Sequence, residues 1–317
     1  MPAASHPTRI AIVGAGNVGA TYAYALLLNR LSSEIVLIDA NRARAEGEAM
    51  DLSHAVPFAH PTRIWADDFS GCAGAAITVI AAGSSQRDGE TRLDMVVRNG
   101  EIWRQIIPQI VNHNPDGILL VATNPVDVLS YTALKLSGLP AQKVIGSGTI
   151  LDTARFRYLL SQHFRVDSRS VHAFIIGEHG DSEVPVWSLA NIAGMKLDDF
   201  ARAQRLAFTR TDRQRIYEQT RDAAYHIIER KGATYYAVAA GLIRITAAIL
   251  RDQNTVFSVS SQIADYYGIS NVFLSLPAVL NRGGLERVLR IDLSEEEIAG
   301  LRKSNEVLQS TIAKLAL

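Results

Sequence analysis

The chain has 317 residues, of which 48% are hydrophobic, so it is long enough to form one large domain or two ordinary ones with filled cores. Its 32 basic and 32 acidic residues cancel, which argues against a general electrostatic surface for nucleic acid or an anionic membrane. Any anionic ligand must therefore be held by individual arginines.

The first half of the chain alternates short apolar runs with helical stretches. The run IAIVG, after Arg9, is followed by a glycine turn and by helical spacing from Val18 to Asn29. Short, continuous apolar sequences of this kind are typical of parallel strands that are covered on both faces. The pattern therefore predicts a doubly wound α/β domain over residues 1–148, with its ligand crevice at the carboxyl ends of the strands. The later apolar runs begin at Glu34, Ile77, Gly117 and Lys143, and helical stretches lie near 93–112 and 126–136.

Residues 149–317 follow a different pattern, which predicts an α+β domain that binds the substrate. A helix from Leu151 and irregular strand-like pieces precede one charged amphipathic helix between Asp212 and Glu229. TVFSVSSQI and VFLSLPAVL predict a strand pair, and Ser294 with Glu297 predicts a capping box at the start of a closing helix. Because no obvious linker separates the halves, we expect the active site in a cleft between them.

Cysteine content and the amino terminus favour a cytoplasmic protein. The single cysteine, Cys72, cannot form an internal disulfide, and the polar start MPAASHPT lacks the apolar core of a secretion signal. No segment approaches the roughly 18 uncharged apolar residues of a membrane span, and the nearest run, Val238 to Leu250, contains Arg244. We expect a soluble protein that binds neither membrane nor nucleic acid.

The glycine turn after the first strand has the pattern of a dinucleotide site. GAGNVG places Gly14, Gly16 and Gly19 between strand and helix, where missing Cβ atoms allow a tight turn and a close approach of the backbone to a pyrophosphate. Asp39 ends the next strand, and its carboxylate can accept hydrogen bonds from both ribose hydroxyls while repelling a 2′-phosphate. The sequence therefore predicts NAD rather than NADP as the cofactor.

Two alternatives bear on this prediction. A glycine turn that served only helix packing would leave Asp39 without a purpose. Arg42 and Arg44 could reach a 2′-phosphate, which would favour NADP, although exposed arginines in an early helix are more often simply solvated.

Three polar residues of the second half suit acid–base chemistry on an anion. Asp152 and Arg155 are three positions apart and so share a helix face, and Arg155 could grip a carboxylate bidentately. Asp152 could accept a hydrogen bond from one nitrogen of His179, which would fix the tautomer and favour the protonated ring. Beside a nicotinamide, these groups could bind a small keto acid and protonate its carbonyl oxygen.

Each of these residues also has an ordinary alternative role. Lone histidines are usually structural, Asp152 could merely cap a helix, and Arg155 could be a surface cation. The polar segment SSQRDGETR suits a mobile lid that carries Arg92, or else a loop in which the Arg92 charge is only solvated. The glycine-flanked setting of His179 in GEHGDSE, together with its companions, favours the catalytic interpretation.

Six segments together resemble the lactate and malate dehydrogenase family, in its L-lactate branch. They occur in the family's order over nearly the whole chain: GAGNVG, AAGSSQRDGETR, TNPVDVL, GSGTILDTARFR, GEHGDSEVPVW and KGATYYAVA. The resemblance implies a Rossmann-type NAD domain and reversible hydride transfer between NADH and pyruvate, giving L-lactate, in glycolysis and in fermentation of pyruvate to lactate. It also implies a homotetramer.

The resemblance assigns a role to each matching residue. On the substrate side these are His179 as acid/base, Asp152 as its partner, Arg155 as carboxylate clamp, Arg92 as the lid arginine that polarises the carbonyl, Asn124 as a contact to both substrate and nicotinamide, and Thr234 in the pocket wall. On the cofactor side they are Gly14, Gly16, Asn17, Val18, Gly19, Asp39 and Asn124.

A regulatory anion site is a further expectation. Arg157 lies two residues after Arg155, so helical geometry turns it about 200° away from the clamp. Arg157 and His172 resemble the residues with which many bacterial members of the family bind fructose 1,6-bisphosphate across a subunit interface. Alternatively, the two residues have no regulatory role: Arg157 is then an ordinary arginine on a helix face, and His172 is an ordinary histidine at the end of a strand.

The choice of keto acid is expected to depend on Gln86, six residues before Arg92. The resemblance implies that the malate branch has an arginine at this position. The charge of that arginine would neutralise the second carboxylate of oxaloacetate. A neutral amide suits the methyl group of pyruvate, because an extra carboxylate would be desolvated without a partner. The loop departs from the family, however, with Asp88 in place of proline and SS in place of alanine and asparagine. A one-residue shift could also present Arg87, so malate or another 2-hydroxy acid stays an alternative substrate.

Two other classes of protein fit the sequence less well. A sensor or structural protein that binds a dinucleotide without catalysis would have little physical need for His179, Asp152, Arg155 and Arg92 together. Metal catalysis is disfavoured because no compact ligand cluster surrounds His179 in the sequence, and a proton donor needs its ring nitrogens free. We expect no metal.

Replacing Gln86 with arginine should shift substrate preference from pyruvate toward oxaloacetate, because the new charge would pair with the second carboxylate. The ratio of kcat/KM for the two keto acids, measured with NADH, checks this. A wild-type enzyme that already prefers oxaloacetate would contradict the assignment of Gln86.

Overall fold

The computed structural model describes residues 8–84 and 92–315. Six short segments of the first half form parallel strands: β1 (Arg9–Val13), β2 (Glu34–Ile38), β3 (Arg63–Ala66), β4 (Ala75–Ile80), β5 (Ile118–Val121) and β6 (Val144–Gly146). Their order in the sheet is β3-β2-β1-β4-β5-β6. This is the order of the doubly wound, Rossmann-type fold.

Helices cover both faces of these strands. Because neither face meets water, strand side chains such as Ile10, Ile12 and Leu37 are completely buried. The predicted doubly wound domain is confirmed. The helices are α1 (Asn17–Asn29), α2 (Arg42–Ala55), α3 (Arg92–His113) and α4 (Val126–Ser137).

The sequence did not signal strand β3. Its first residue, Arg63, is exposed and the other three are only half-buried, because β3 is the edge strand of the sheet. An edge strand lacks the continuous apolar run that marked the central strands.

The second half adds three further strands to the same sheet and contributes several helices. An antiparallel pairing of Ser260 with Gly146 joins β12 (Thr255–Ile263) to β6, and β13 (Val272–Asn281) and β14 (Gly284–Val288) follow outward. The helices are α5 (Ile150–Phe164), α6 (Leu197–Gln204), α7 (Arg210–Arg221), α8 (Ala223–Lys231), α9 (Tyr236–Leu250) and α10 (Glu295–Ile312). The short strands are β7 (Val171–His172), β8 (Ile175–Ile176), β9 (Val184–Pro185), β10 (Asn191–Ile192) and β11 (Met195–Lys196).

Two details of the second half can be compared with the sequence patterns. The predicted capping box is present: Ser294 and Glu297 bond to each other's backbone N–H groups at the start of α10. The prediction of a single helix between Asp212 and Glu229 is wrong, because the chain forms α7 and α8 with a break at Asp222. There the backbone ψ of −4° departs from helical values, and the carboxylate pairs with Arg221 at 2.8 Å.

The apolar run from Val238 to Leu250 lies within helix α9 and belongs to the core. Helix α9 packs against α1, and its residues Leu242 and Ile245 are completely buried. The hydroxyl groups of Tyr22 and Thr246 share a buried hydrogen bond of 2.6 Å that ties the two helices together. No helix in the described ranges is long and apolar enough to cross a membrane.

Replacing Tyr22 with phenylalanine should lower the free energy of unfolding by about 1–2 kcal/mol, because the buried Thr246 hydroxyl loses its partner. Urea unfolding measures the change. Tyr24→Phe is a matched control on the same helix, since Tyr24 is 47% exposed, and it should leave the unfolding midpoint unchanged. Equal effects of the two variants would contradict the assigned role of the bond.

Candidate active site

A cavity of about 710 Å³ lies at the carboxyl ends of β1, β2 and β4. Gly14 has a φ of +105°, and a Cβ there would lie 2.5 Å from the backbone nitrogen of Ala82; a Cβ at Gly19 would lie 1.9 Å from the carbonyl oxygen of Gly14. The close packing of strand, turn and helix therefore requires both glycines. A Cβ on Gly16 would meet nothing within 4 Å, so this part of the turn is open to the cavity.

The first turn of α1 fits a phosphate group. Its N-cap residue, Gly16, has no side chain that could accept from the first helical N–H groups. Asn17, which is exposed, and Val18, which is half-buried, form that turn. Uncapped N–H groups at a helix amino terminus bind anions, so the pyrophosphate of a dinucleotide fits here.

Asp39 links the cavity to the glycine turn. Its Oδ2 accepts a hydrogen bond from the backbone N–H of Ala15 at 2.7 Å, and its Oδ1 accepts one from Asn41 at 2.8 Å. Each carboxylate oxygen has a further lone pair for a ribose hydroxyl. Arg42 and Arg44 line the same cavity, and Arg42 pairs with the exposed carboxylate that lies one helical turn beyond it.

A second cavity, of about 240 Å³, combines residues from both halves of the chain. Asn124, which follows β5, comes from the first half, and Asp152, Arg155 and His179 come from the second. The structure thus brings four of the predicted site residues together. The wall is completed by Met95, Pro125, Gly180, Asp181, Glu183, Arg221, Ala224, Tyr225 and Ile228.

A buried carboxylate shared by two cations is the centre of this cavity. His179 Nδ1 lies 2.5 Å from Asp152 Oδ2, and Arg155 Nη1 donates to Asp152 Oδ1 at 2.8 Å. The side chain of Asp152 is 3% exposed, that of Arg155 13% and that of His179 22%. The carboxylate is buried and the cations face the cavity, so one edge of the guanidinium and one ring nitrogen are left for a ligand.

The shared carboxylate determines the charge of the histidine. Burial favours a lower pKa for His179, but the charge of Asp152 and the hydrogen bond to it outweigh burial and raise the pKa to about 9. Burial likewise favours a higher pKa for Asp152, and the charges of His179 and Arg155 nevertheless hold that pKa below its usual range. At neutral pH, Asp152 is therefore ionised and His179 is an imidazolium with Nε2 left to donate a proton.

A hydrogen bond to Asp127 anchors the loop that carries His179. The backbone N–H of His179 donates to Asp127 Oδ2 at 2.7 Å, and Asp127 is buried in helix α4. Burial raises the pKa of Asp127 to about 6. Asp127 was not among the predicted site residues. The available signal was an acidic residue inside the apolar helical segment VDVL.

Three further residues were predicted for the substrate side: Thr234, Gln86 and Arg92. Thr234 is half-buried in the connection between α8 and α9 and does not line the 240 Å³ cavity. Gln86 lies outside the described residues, and so does the side chain of Arg92, the first residue of α3.

Arg157 and His172 line neither cavity. Arg157 Nε donates to the carbonyl oxygen of Ala173 at 2.8 Å, and its guanidinium stacks 5.3 Å from the ring centroid of Phe174. Burial lowers the pKa of Arg157. His172, at the end of β7, is exposed. Within residues 8–84 and 92–315, no group of three or more His, Cys, Asp or Glu side chains could hold a metal ion.

The fold and the two cavities together define an α/β protein with a dinucleotide crevice and a separate acid–base site. Two family models match the chain: the lactate/malate dehydrogenase NAD binding domain over residues 8–146, and the lactate/malate dehydrogenase alpha/beta C-terminal domain over residues 149–316. The chain belongs to the lactate/malate dehydrogenase family. The predicted family and the predicted NAD cofactor are confirmed.

Individual relatives agree with this membership. The chain is 52% identical to the L-lactate dehydrogenase of Acetivibrio thermocellus over 307 residues, 97% of each chain, and 52% identical to that of Priestia megaterium over 303 residues, 96% and 95% of the two chains. Among solved structures, a lactate dehydrogenase from a Medee basin deep-sea metagenome library has a TM-score of 0.95 and 43% identity, covering 98% of this chain and 99% of that one. The ligand-bound minor L-lactate dehydrogenase of Enterococcus mundtii has a TM-score of 0.94 and 36% identity, with 97% and 98% covered.

Replacing Asp152 with asparagine should lower the pKa of His179 well below about 9, because the largest effect that opposes burial is then lost. NMR titration of the imidazole measures this pKa directly. Asp181→Asn removes an exposed carboxylate from the same loop and is the control, which should keep the pKa close to the wild-type value. An unchanged pKa in Asp152→Asn would contradict the electrostatic role of Asp152.

Proposed function

We propose that the protein is an NAD-dependent L-lactate dehydrogenase that interconverts pyruvate and L-lactate. The observation that carries the proposal is the buried Asp152 carboxylate shared by His179 and Arg155. It lies in a cavity at the same carboxyl edge of the parallel sheet as the dinucleotide crevice. The relatives named L-lactate dehydrogenase, about half identical over nearly the whole chain, support it.

Each side chain has a defined task in the reaction. The free edge of the Arg155 guanidinium binds the carboxylate of the keto acid, which sets the position of the carbonyl carbon. His179 Nε2 donates its proton to the carbonyl oxygen, and Asp152 stabilises the imidazolium until that step. NADH, when bound, supplies the hydride. In the reverse direction the neutral His179 accepts the proton of the lactate hydroxyl.

The remaining site residues complete the substrate environment. Asn124, beside His179 in the cavity wall, helps hold substrate and nicotinamide. Arg92 polarises the carbonyl from the lid, and Thr234 lines the substrate pocket. Gln86 selects pyruvate over oxaloacetate, with a malate dehydrogenase as the alternative if the lid presents Arg87 instead.

The proposal extends to the organisation of the protein. The division into a cofactor domain, 1–148, and a substrate domain, 149–317, is supported by the family models that meet between residues 146 and 149. A cytoplasmic homotetramer is proposed by similarity to the family. Arg157 and His172 would then bind fructose 1,6-bisphosphate between subunits. The bond of Arg157 to Ala173, the residue after His172, and the position of both residues outside the two cavities support this role.

One steady-state experiment tests these proposals. Loss of NADH absorbance is followed with pyruvate and with oxaloacetate, and we expect pyruvate to have the higher kcat/KM. His179→Asn should lower kcat by about 10²–10⁴-fold, because the proton donor is lost, while NADH binding, followed by fluorescence, is retained. Oxidation of NADH by neither keto acid would defeat the proposed function.

The same assay at limiting pyruvate, with fructose 1,6-bisphosphate added, tests the regulatory site. We expect the sugar bisphosphate to lower the KM for pyruvate in the wild type and to have no effect on His172→Gln, because the exposed imidazole is removed. A flat wild-type titration would remove the regulatory proposal without affecting the catalytic one.

A further inference from the structure

A second buried carboxyl, that of Glu183, lines the substrate cavity. Glu183 closes the tight turn after His179: its backbone N–H donates to the carbonyl oxygen of Gly180 at 3.1 Å, and strand β9 begins at the next residue. Glu183 is only 4% exposed. It shares the cavity wall with Asp152 and Arg155, yet the acid–base chemistry proposed above does not use it.

No cation pairs with the Glu183 carboxyl within the described residues. Arg155 and His179 are both engaged with Asp152, and Arg221 of helix α7 is paired with the carboxylate that follows it. The Oε1 atom of Glu183 is buried and has no hydrogen-bond partner in the described part of the chain. An ionised carboxyl that is buried without a partner is costly, so such a group binds a proton instead.

The other side of Glu183 offers no counter-charge either. The residue also lines a neighbouring cavity of about 570 Å³, and none of the described charged groups there forms an ion pair with it. Tyr217 lines that cavity, and burial raises its pKa to about 12. Arg213 and Asp198 form an ion pair with each other, and Glu297 accepts hydrogen bonds from Ser188 and Ser294. The remaining titratable groups of the cavity, Lys196 and Glu296, are exposed.

The charge balance of the substrate cavity depends on this carboxyl. Burial is the main reason that the pKa of Glu183 rises to about 9, and the charge of Asp152 adds to it, against the opposing effect of the nearby cations. With Glu183 neutral, Arg155 and His179 outweigh Asp152 by one positive charge. The positive excess of these three groups complements the carboxylate of a monocarboxylic keto acid, and an ionised Glu183 would reduce it by one charge. The other charged wall residues, Arg221 and Asp181, are opposite in sign.

We propose that Glu183 determines when the cavity binds its anionic substrate: the neutral acid admits the keto acid, and the ionised form must take up a proton first. The inference rests on the proposed function for the identity of the anion. It predicts that, near and above pH 9, binding of the anion is coupled to proton uptake at Glu183 in addition to His179. At neutral pH, Glu183 contributes no such coupling because it already carries the proton.

Calorimetry of the enzyme–NADH complex with oxamate, an unreactive monocarboxylate, tests the proposal. Titrations in buffers of different ionisation enthalpy give the number of protons taken up. Near pH 9 we expect the wild type to take up about half a proton more than Glu183→Gln, because half of the Glu183 population is ionised at its pKa. At neutral pH the two proteins should bind oxamate within about twofold of each other.

Two results would overturn the proposal. One is an equal proton count for the wild type and Glu183→Gln near pH 9. The other is about tenfold tighter oxamate binding by the variant at neutral pH, which would mean that the wild-type carboxyl is already ionised there. Glu296→Gln is the matched control, since Glu296 is an exposed carboxylate of the neighbouring cavity, and its proton count should equal that of the wild type.

Infrared spectroscopy of the wild type needs no variant. At about pH 8, where ordinary carboxyls are ionised and Asp127, with a pKa of about 6, is largely so, Glu183 should give the C=O stretching band of a protonated carboxylic acid. The band should vanish above about pH 10; its absence at the lower pH would overturn the proposal. Turnover of pyruvate combined with that absence would defeat this inference alone, whereas a lack of turnover would defeat the proposed function.

Discussion

The Asp152 carboxylate, buried and shared by His179 and Arg155, is the interaction on which the candidate site depends. A buried carboxylate is costly unless its charge is paired and its lone pairs are satisfied. Here each oxygen has its own cationic partner, at 2.5 Å and 2.8 Å. The same two contacts keep the imidazole protonated and fix the orientation of the guanidinium. The proton donor and the carboxylate clamp therefore have a defined spacing before any ligand binds.

The parallel sheet brings the cofactor and substrate residues to one edge. Gly14 follows β1, Asp39 follows β2 and Asn124 follows β5, while helix α5, which carries Asp152 and Arg155, begins soon after β6. The hairpin of β8 and β9 then brings His179 over the start of this helix. Chemistry at the carboxyl ends of parallel strands is a general property of such sheets, and residues that follow these strands line both cavities here.

Local patterns predicted much of this arrangement, and long-range packing determined the rest. The spacing of Asp152 and Arg155 is helical, and the glycine turn with Asp39 is a local motif, so both could be read from the sequence. Asp127 and Glu183 resemble ordinary helix and loop carboxylates until the packing of α4 and α7 shows that they are buried. The break at Asp222 was missed because the charged pattern continues across it, and strand β3 because an edge strand lacks an apolar run.

A crystal structure of the protein with NADH and oxamate tests the central claim most directly. The account predicts that His179 Nε2 and the free edge of Arg155 both lie within about 3 Å of oxamate oxygens, with Asp152 still bonded to each of them. Oxamate bound in another cavity, or a His179 ring that has left Asp152 in the complex, would contradict it.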